Sequence, residues 1–257
     1  SMDKRLLKSL LYDQVARIGK ALASPKRLEL VELLAQGEKS VESLSAQAGI
    51  DMRLASAHLK VLREARLVET RRDGKYIYYR LSGRDVSQLW VTLRETAEEH
   101  LVELRMALEQ MTAQPDTLVS ESRESLLEKA RQGEIVVIDV RPANEFNAGH
   151  LPFARSLPLD ELEKRLADLP EDRAIVAYCR GPFCLMSDQA VVLLAAKGYR
   201  VRKILDGVSE WEAAGLPVEG KVSGLNKGGL EVEIGGVRAF CPMSQIDSKY
   251  VEDPKEF

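Results

Sequence analysis

"VESLSAQAGIDMRLASAHLKVLREARLVETRRDGKYIYYRL", residues 41–81, decides the fold of the first third of the chain. Val41 to Ala48 reads as a short helix, and Gly49 turns the chain behind it. Asp51 caps a second helix, with Leu54, Ala57, Leu59, Val61 and Leu62 as inward-facing candidates. Two short helices around a glycine turn make a helix-turn-helix, whose second helix enters the major groove of DNA. Asp73-Gly74 follows between β-rich runs and predicts a two-residue hairpin. Arg71, Arg72 and Lys75 crowd the hairpin tip, which makes it a wing for phosphates or the minor groove. On the second helix, Arg53, Ser56, His58 and Lys60 are the candidates for facing DNA.

The flanks extend this reading. Met52 to Arg84 holds nine lysines and arginines against three carboxylates, an excess that the whole-chain net charge of -3 conceals. Upstream, Ser24 is a good N-cap and Pro25 fits the first helical position. Leu28, Val31, Leu33 and Leu34 then recur near helical spacing until Gly37. Downstream, Asp85 to Gln110 predicts one long amphipathic helix, with Leu89, Val91, Leu93, Ala97, Leu101, Leu104 and Leu108 as its apolar stripe. With Leu6, Leu10, Val15 and Ile18 near the N-terminus, this stripe is expected to form a dimer interface that presents two reading helices to a palindromic operator.

The stretch from Ala21 to Leu81 resembles the ArsR/SmtB family of dimeric winged-helix repressors over about the first 110 residues. The resemblance implies transcriptional repression by operator binding. Many members bind metal through cysteines at the start of the first motif helix, and Glu38 to Leu44 contains none. A second family site uses Asp and His on the last helix; here Ser87 follows Asp85 by two residues, and His100 and Glu103 fall out of register. No metal site is therefore expected.

At 257 residues the chain has room for two or three small cores. An apolar share of 45% and a charged share of 30% suit a globular protein without membrane spans. Three cysteines give no disulfide framework and point to a reducing cytoplasm.

Beyond a polar linker at 111–120, short apolar strands alternate with amphipathic helices, as in a mostly parallel sheet covered on both faces. The predicted helices run near Arg123–Gln132, Leu159–Leu169 and Leu185–Lys197. Cys179 directly follows the strand "RAIVAY", at the carboxyl end where such sheets bind ligands. A thiol attacks as thiolate, so its pKa must be lowered. The loop Arg180, Gly181, Pro182, Phe183 and Cys184 curls into a helix, and its amides are expected to hold the Cys179 sulfur anionic without a histidine base. Such a thiolate accepts a sulfane sulfur as a persulfide. Cys184, five residues on, either closes a disulfide with Cys179 or simply fills the loop base.

"VIDVRPANEFNAGHLPFARSLPL", "YCRGPFC" and "ILDGVSEWEAAGLPVE" together resemble a single-domain rhodanese. The resemblance implies that Cys179 is the catalytic sulfur acceptor. Asp139, Arg141 and Glu145 match the family's first motif and read as structural, including an Arg141–Glu145 pair; Trp211 reads as core. The segment 220–257 resembles the first half of an S1-type OB domain, a β-meander that lacks the last two strands of a barrel.

The expected organisation is thus multidomain. It comprises a mainly α winged helix-turn-helix and dimerisation domain at 1–110, a linker at 111–120, an α/β rhodanese-like domain at 121–219 and a short β-rich tail at 220–257. The expected function is a cytoplasmic repressor that links sulfur or redox state to DNA binding through Cys179. The alternative is a thiosulfate or persulfide sulfurtransferase with an accessory winged helix. Operator DNA, a second copy of the chain and a small sulfane-sulfur donor are the expected partners; no cofactor, membrane or RNA is.

Overall fold

A computed structural model describes residues 3–112, 114–226, 229–234 and 237–242, with side chains described up to Gly220. It forms two compact units, 1–90 and 91–257.

In the first unit, α1 (Lys4–Leu22) is capped by Asp3, and α2 (Pro25–Ala35) by Ser24, whose hydroxyl accepts the Arg27 amide. A short strand β1 (Lys39–Ser40) leads into α3 (Val41–Ala48), which ends at Gly49 with φ of 65°. That left-handed value is cheap only for glycine, which is why the turn sits there. Asp51 caps α4 (Met52–Glu64) by accepting the Leu54 amide at 2.7 Å. Leu30, Leu34, Leu44, Leu59 and Leu62 are fully buried between α2, α3 and α4, each worth about 1.5–3 kcal/mol. Two inward expectations on α4 fail: Leu54 is 43% exposed and Ala57 is exposed, while Ala55 is buried. The helix period explains it, since Ala55, Leu59 and Leu62 share one face and Leu54 and Ala57 do not.

The wing is β2 (Val68–Asp73) paired antiparallel with β3 (Tyr76–Leu81), and β1 adds to the other edge of β3. Asp73 pairs with Tyr76, so the turn residues are Gly74 and Lys75, one place later than expected. Gly74 has φ of 59°. A two-residue hairpin of this kind needs glycine at the first central position, and that requirement sets the register.

The helix expected over Asp85–Gln110 is two helices, α5 (Arg84–His100) and α6 (Val102–Met111). Leu101 interrupts them in an extended conformation. Arg105 donates to the carbonyls of Glu98 and Glu99, satisfying the acceptors that the break exposes. Val91 of the expected stripe is buried, whereas Leu89, Leu93 and Leu101 are exposed, as are Leu6, Leu7, Leu10, Leu11 and Val15 on α1.

In the second unit, α7 (Arg123–Arg131) leads to β4 (Ile135–Asp139), followed by α8 (Ala143–Ala148) and the short β5 (Arg155–Ser156). Leu159–Asp168 takes the tighter 3₁₀ form, broken at Arg165, instead of an α-helix. Then come β6 (Ala174–Tyr178), α9 (Met186–Ala196), β7 (Val201–Lys203) and α10 (Val208–Ala213). The four strands form a parallel sheet in the order β5-β4-β6-β7.

Two apolar layers cover this sheet. Val136, Ile138, Ile175 and Ala177 face one layer with Leu162, Ala190 and Leu194. Ile135, Val137, Val176 and Tyr178 face the other with Leu126, Val208 and Trp211. Side chains alternate along a strand, so β6 sends odd positions one way and even positions the other. Cys179 continues the odd set and joins the first layer. Trp211 is core, as expected, at 2% exposure.

The strands β8 (Lys221–Asn226), β9 (Gly229–Ile234) and β10 (Val237–Pro242) form an antiparallel meander, as the sequence implied. Cys241 lies outside the described side chains. Among the described residues, no helix is long and apolar enough to cross a membrane.

Candidate functional site: a basic reading face and a dithiol loop

Arg53, Ser56 and Lys60 are all exposed on α4. At about 100° per residue they fall within one narrow arc. Arg63, also exposed, extends the same arc one turn further; its spacing of ten from Arg53 was the available signal for including it. His58 is different. It sits about 140° around the helix from Arg53, half-buried against α2, with its Nδ1 3.4 Å from the Arg27 guanidinium. Burial, then the Arg27 charge, pushes its pKa down, so the ring is a neutral packing element rather than part of the exposed arc.

The wing cations are likewise unequal. Arg71 is paired, its Nε donating to Glu38 at 2.7 Å, with its guanidinium 4.6 Å from the centre of the Tyr78 ring. Arg72 donates to the Gly74 carbonyl at 3.2 Å, which leaves most of its fork outward. Lys75 lies 5.2 Å from the Tyr76 ring at the turn itself.

The second candidate site begins with the rigid base under the thiol loop. Arg141, fully buried, forks onto Asp139 with contacts of 3.0, 3.1 and 2.6 Å, and also donates to the Gly149 carbonyl at 2.6 Å. Tyr178 donates its hydroxyl to the same Asp139 at 2.7 Å and accepts the Leu151 amide. Burial raises the Tyr178 pKa well above its usual value, and the adjacent Asp139 charge adds to this. Glu145, 1% exposed, holds Arg180 by two contacts of 2.8 Å. Both carboxylates of the first motif therefore brace the loop, and Arg180 is anchored before it meets any ligand.

Gly207 was missed by the sequence reading, although it lies inside the third rhodanese-like motif. A Cβ placed there would come within 2.4 Å of the Arg180 carbonyl oxygen and 2.9 Å of that of Cys179. The absence of a side chain lets the backbone after β7 press directly on the loop. Gly181 turns the loop with φ of 157°, near the edge of the region that glycine alone enters cheaply.

The sulfur itself overturns an expectation. Cys179 is 2% exposed, its Sγ 3.3 Å from Ser187 Oγ and 3.6 Å from the Cys184 carbonyl oxygen. Burial pushes its thiol pKa well above the usual value. The reason is the strand phase: residue 179 continues the inward set of β6, so its side chain enters the apolar layer under α9 rather than rising into the loop. The Ser187 amide and hydroxyl act on it, whereas the amides of Arg180 and Met186 act on Cys184. The Cys184 pKa falls to about 7, through the hydrogen bond from Cys179 first and then those amides and the Arg180 charge. Of the two thiols, Cys184 is therefore pushed toward the more acidic value and Cys179 toward the less acidic.

Ser187 was also missed; a hydroxyl at the second position of the helix after a thiol loop was the only signal. His150 spends its ring nitrogens on the Phe146 carbonyl at 2.9 Å and Glu219 at 2.8 Å, away from either sulfur. A cavity of about 200 Å³ is lined by Leu126 and Trp211, and so opens on the opposite face of the sheet from Cys179.

A winged helix with an exposed cationic face, in one chain with a parallel-sheet domain that ends a central strand in a loop with two cysteines, defines a DNA-binding protein with a rhodanese-like module. Residues 24–70 match the bacterial regulatory protein, arsR family. Residues 122–214 match the rhodanese-like domain, and 213–256 the S1 RNA binding domain. The HTH-type transcriptional regulator Rv0324 of Mycobacterium tuberculosis is 44% identical over 212 residues, covering 82% of this chain and 93% of that one. The biofilm growth-associated repressor of Xylella fastidiosa is 47% identical over 77 residues, 30% of this chain and 68% of its own. A sulfurtransferase of Allochromatium vinosum is 34% identical over 97 residues, 37% of this chain and 89% of its own. The chain belongs to the arsR family of bacterial regulatory proteins, as a transcriptional regulator that carries a rhodanese-like domain.

Proposed function

We propose that this regulator is a cytoplasmic, homodimeric repressor whose rhodanese-like loop takes up sulfane sulfur and thereby changes operator affinity. One observation carries the proposal: a loop with two thiols, the Cys179 sulfur 3.6 Å from the Cys184 carbonyl oxygen, sits in the same chain as an exposed cationic helix. Arg53, Ser56 and Lys60, with the wing's Arg72 and Lys75, contact DNA in this reading; His58 supports α4 from behind, and Arg71 stays with Glu38. The exposed leucines of α1 and α5 supply the dimer surface, and two-fold symmetry matches two reading helices to a palindromic site. Cys179 remains the residue on which sulfur chemistry ends, protonated at rest and reached through the loop. A coupling of about 1–3 kcal/mol between thiol state and DNA binding is enough for a switch.

Operator titrations with the thiols reduced, treated with polysulfide and blocked by alkylation test this. A five- to hundredfold change in affinity with polysulfide, lost in Cys179→Ser, is the expected result. A Cys179→Ser variant that responds as the wild type does would refute it. The similarity to a sulfurtransferase favours a second reading, in which the loop turns over thiosulfate or a persulfide as an enzyme. Multiple rapid turnovers that operator DNA does not affect would select that reading, which the burial of Cys179 disfavours.

A further inference from the structure

In the first unit, two arginines tie the reading helix α4 to α1. Arg27, near the start of α2, spreads its guanidinium between them. Its Nε donates to the Ala21 carbonyl at 2.6 Å and its Nη2 to the Lys20 carbonyl at 3.2 Å. Both acceptors belong to the last turn of α1, where carbonyls lack a helical partner one turn on and a cation is favoured. The remaining nitrogen, Nη1, lies 3.4 Å from Nδ1 of His58 in the middle of α4. A guanidinium only donates, so Nδ1 accepts and the His58 ring proton sits on Nε2. The second tie is at the end of α4. Arg17 of α1 donates from Nη2 to the Glu64 carbonyl at 3.2 Å, while its Nη1 donates to Gln14 at 2.9 Å. Glu64 is the last residue of α4, so this carbonyl too has no partner within its helix.

We propose that Arg27 and Arg17 are positioning residues for operator recognition, fastening α4 to α1 so that the α1 dimer fixes the spacing of the two half-sites. The inference rests on the reading of this regulator as a homodimer. Along the first two-thirds of α1, Leu6, Leu7, Leu10, Leu11 and Val15 are exposed; Arg17, Lys20 and Ala21, in the last third, make the ties. Nineteen residues at about 1.5 Å each make a rod of about 28 Å. A rod held near one end by its copy and near the other by α4 passes the dimer geometry to the arc of Arg53, Ser56, Lys60 and Arg63. The buried contacts of Ala55, Leu59 and Leu62 hold α4 in place without preferring a direction. The planar forks of two arginines set an angle as well as a distance. One base pair more or less between half-sites displaces them by about 3.4 Å and turns them by about 35°, more than a fastened helix can follow.

The test uses the full-length protein and a duplex that the wild type selects from a randomised pool, remade with one base pair added or removed between its half-sites. Fluorescence anisotropy gives the affinity at each spacing. The wild type is expected to bind the altered duplexes about thirtyfold more weakly, and Arg27→Gln to narrow that penalty to about fivefold. Arg17→Gln should narrow it too. Arg27→Lys should fall between, because an ammonium does not span Ala21, Lys20 and His58 together. Of the chain's three histidines, His58 should titrate at higher pH in Arg27→Gln than in the wild type, read from ring NMR signals, because the Arg27 charge holds it down. A loss of affinity that is equal at every spacing overturns the inference and leaves the dimer reading standing. So does a dimeric wild type that tolerates every spacing, or a His58 titration that Arg27→Gln does not move. Light scattering that shows a monomeric wild type overturns both. Circular dichroism checks each fold, and Arg17→Gln, altered at an exposed side chain, decides the matter where Arg27→Gln does not fold.

Discussion

Replacing Gly207 by alanine tests whether the loop is held by backbone contact. The new Cβ would stand 2.4 Å from the Arg180 carbonyl oxygen, 2.7 Å from the Arg180 carbonyl carbon and 2.9 Å from the Cys179 carbonyl oxygen. Normal separations are about 3.5 Å, so relief requires the loop or the turn before α10 to move by about 1 Å. All three atoms belong to the main chain, so no side chain can swing aside. Gly207 has φ of -114° and ψ of -163°, an ordinary extended conformation, which leaves the contact as the source of the effect. Overpacking of this kind costs about 1–3 kcal/mol, and the stiffer unfolded chain returns about 0.4–1 kcal/mol. A net loss of about 1–2 kcal/mol should loosen the Cys179 cover and raise its alkylation rate by about tenfold. Iodoacetamide labelling of the full-length protein, with hydrogen exchange on the loop peptide, measures both. Unchanged labelling of Cys179 together with unchanged exchange would refute the argument that this glycine presses on the loop.

Three more outcomes follow from the same structure. Asp139→Asn removes the carboxylate onto which the fully buried Arg141 forks and should destabilise the rhodanese-like unit by about 3–5 kcal/mol, read by thermal and urea unfolding. Alkylation of Cys184 should rise with pH through a midpoint near 7, because its thiolate population grows there, and then level off. In Cys179→Ala that midpoint should move up, since the contribution of Cys179 is the largest cause of the low value; an unmoved midpoint counts against it. On DNA, Arg53→Ala and Lys60→Ala should each lower the salt dependence of operator affinity by about one unit in the log–log slope, measured by fluorescence anisotropy. Arg71→Ala should lower it by less, because Glu38 already neutralises that cation.

Wherever function followed from local chemistry, residue order alone was sufficient. Ser24 and Asp51 cap the helices they precede, Gly49 takes the left-handed turn, and the strand–loop–helix order puts Cys179 at the carboxyl end of β6. Capping, turns and apolar period act over a few residues, and a few residues of sequence contain them. Tertiary structure decided which of the named side chains were available. Arg27, 31 residues from His58, turned that histidine into packing, and Glu38, 33 residues from Arg71, took up a wing cation. The break at Leu101 has no proline or glycine to announce it; Arg105 satisfies the exposed carbonyls only once the chain has folded back. At the thiol loop the sequence supplied both sulfurs but not the burial that raises the Cys179 pKa. The acidity of each thiol follows from its depth in the apolar layer beneath α9 and from the loop amides, and both depend on helix, loop and sheet being packed together.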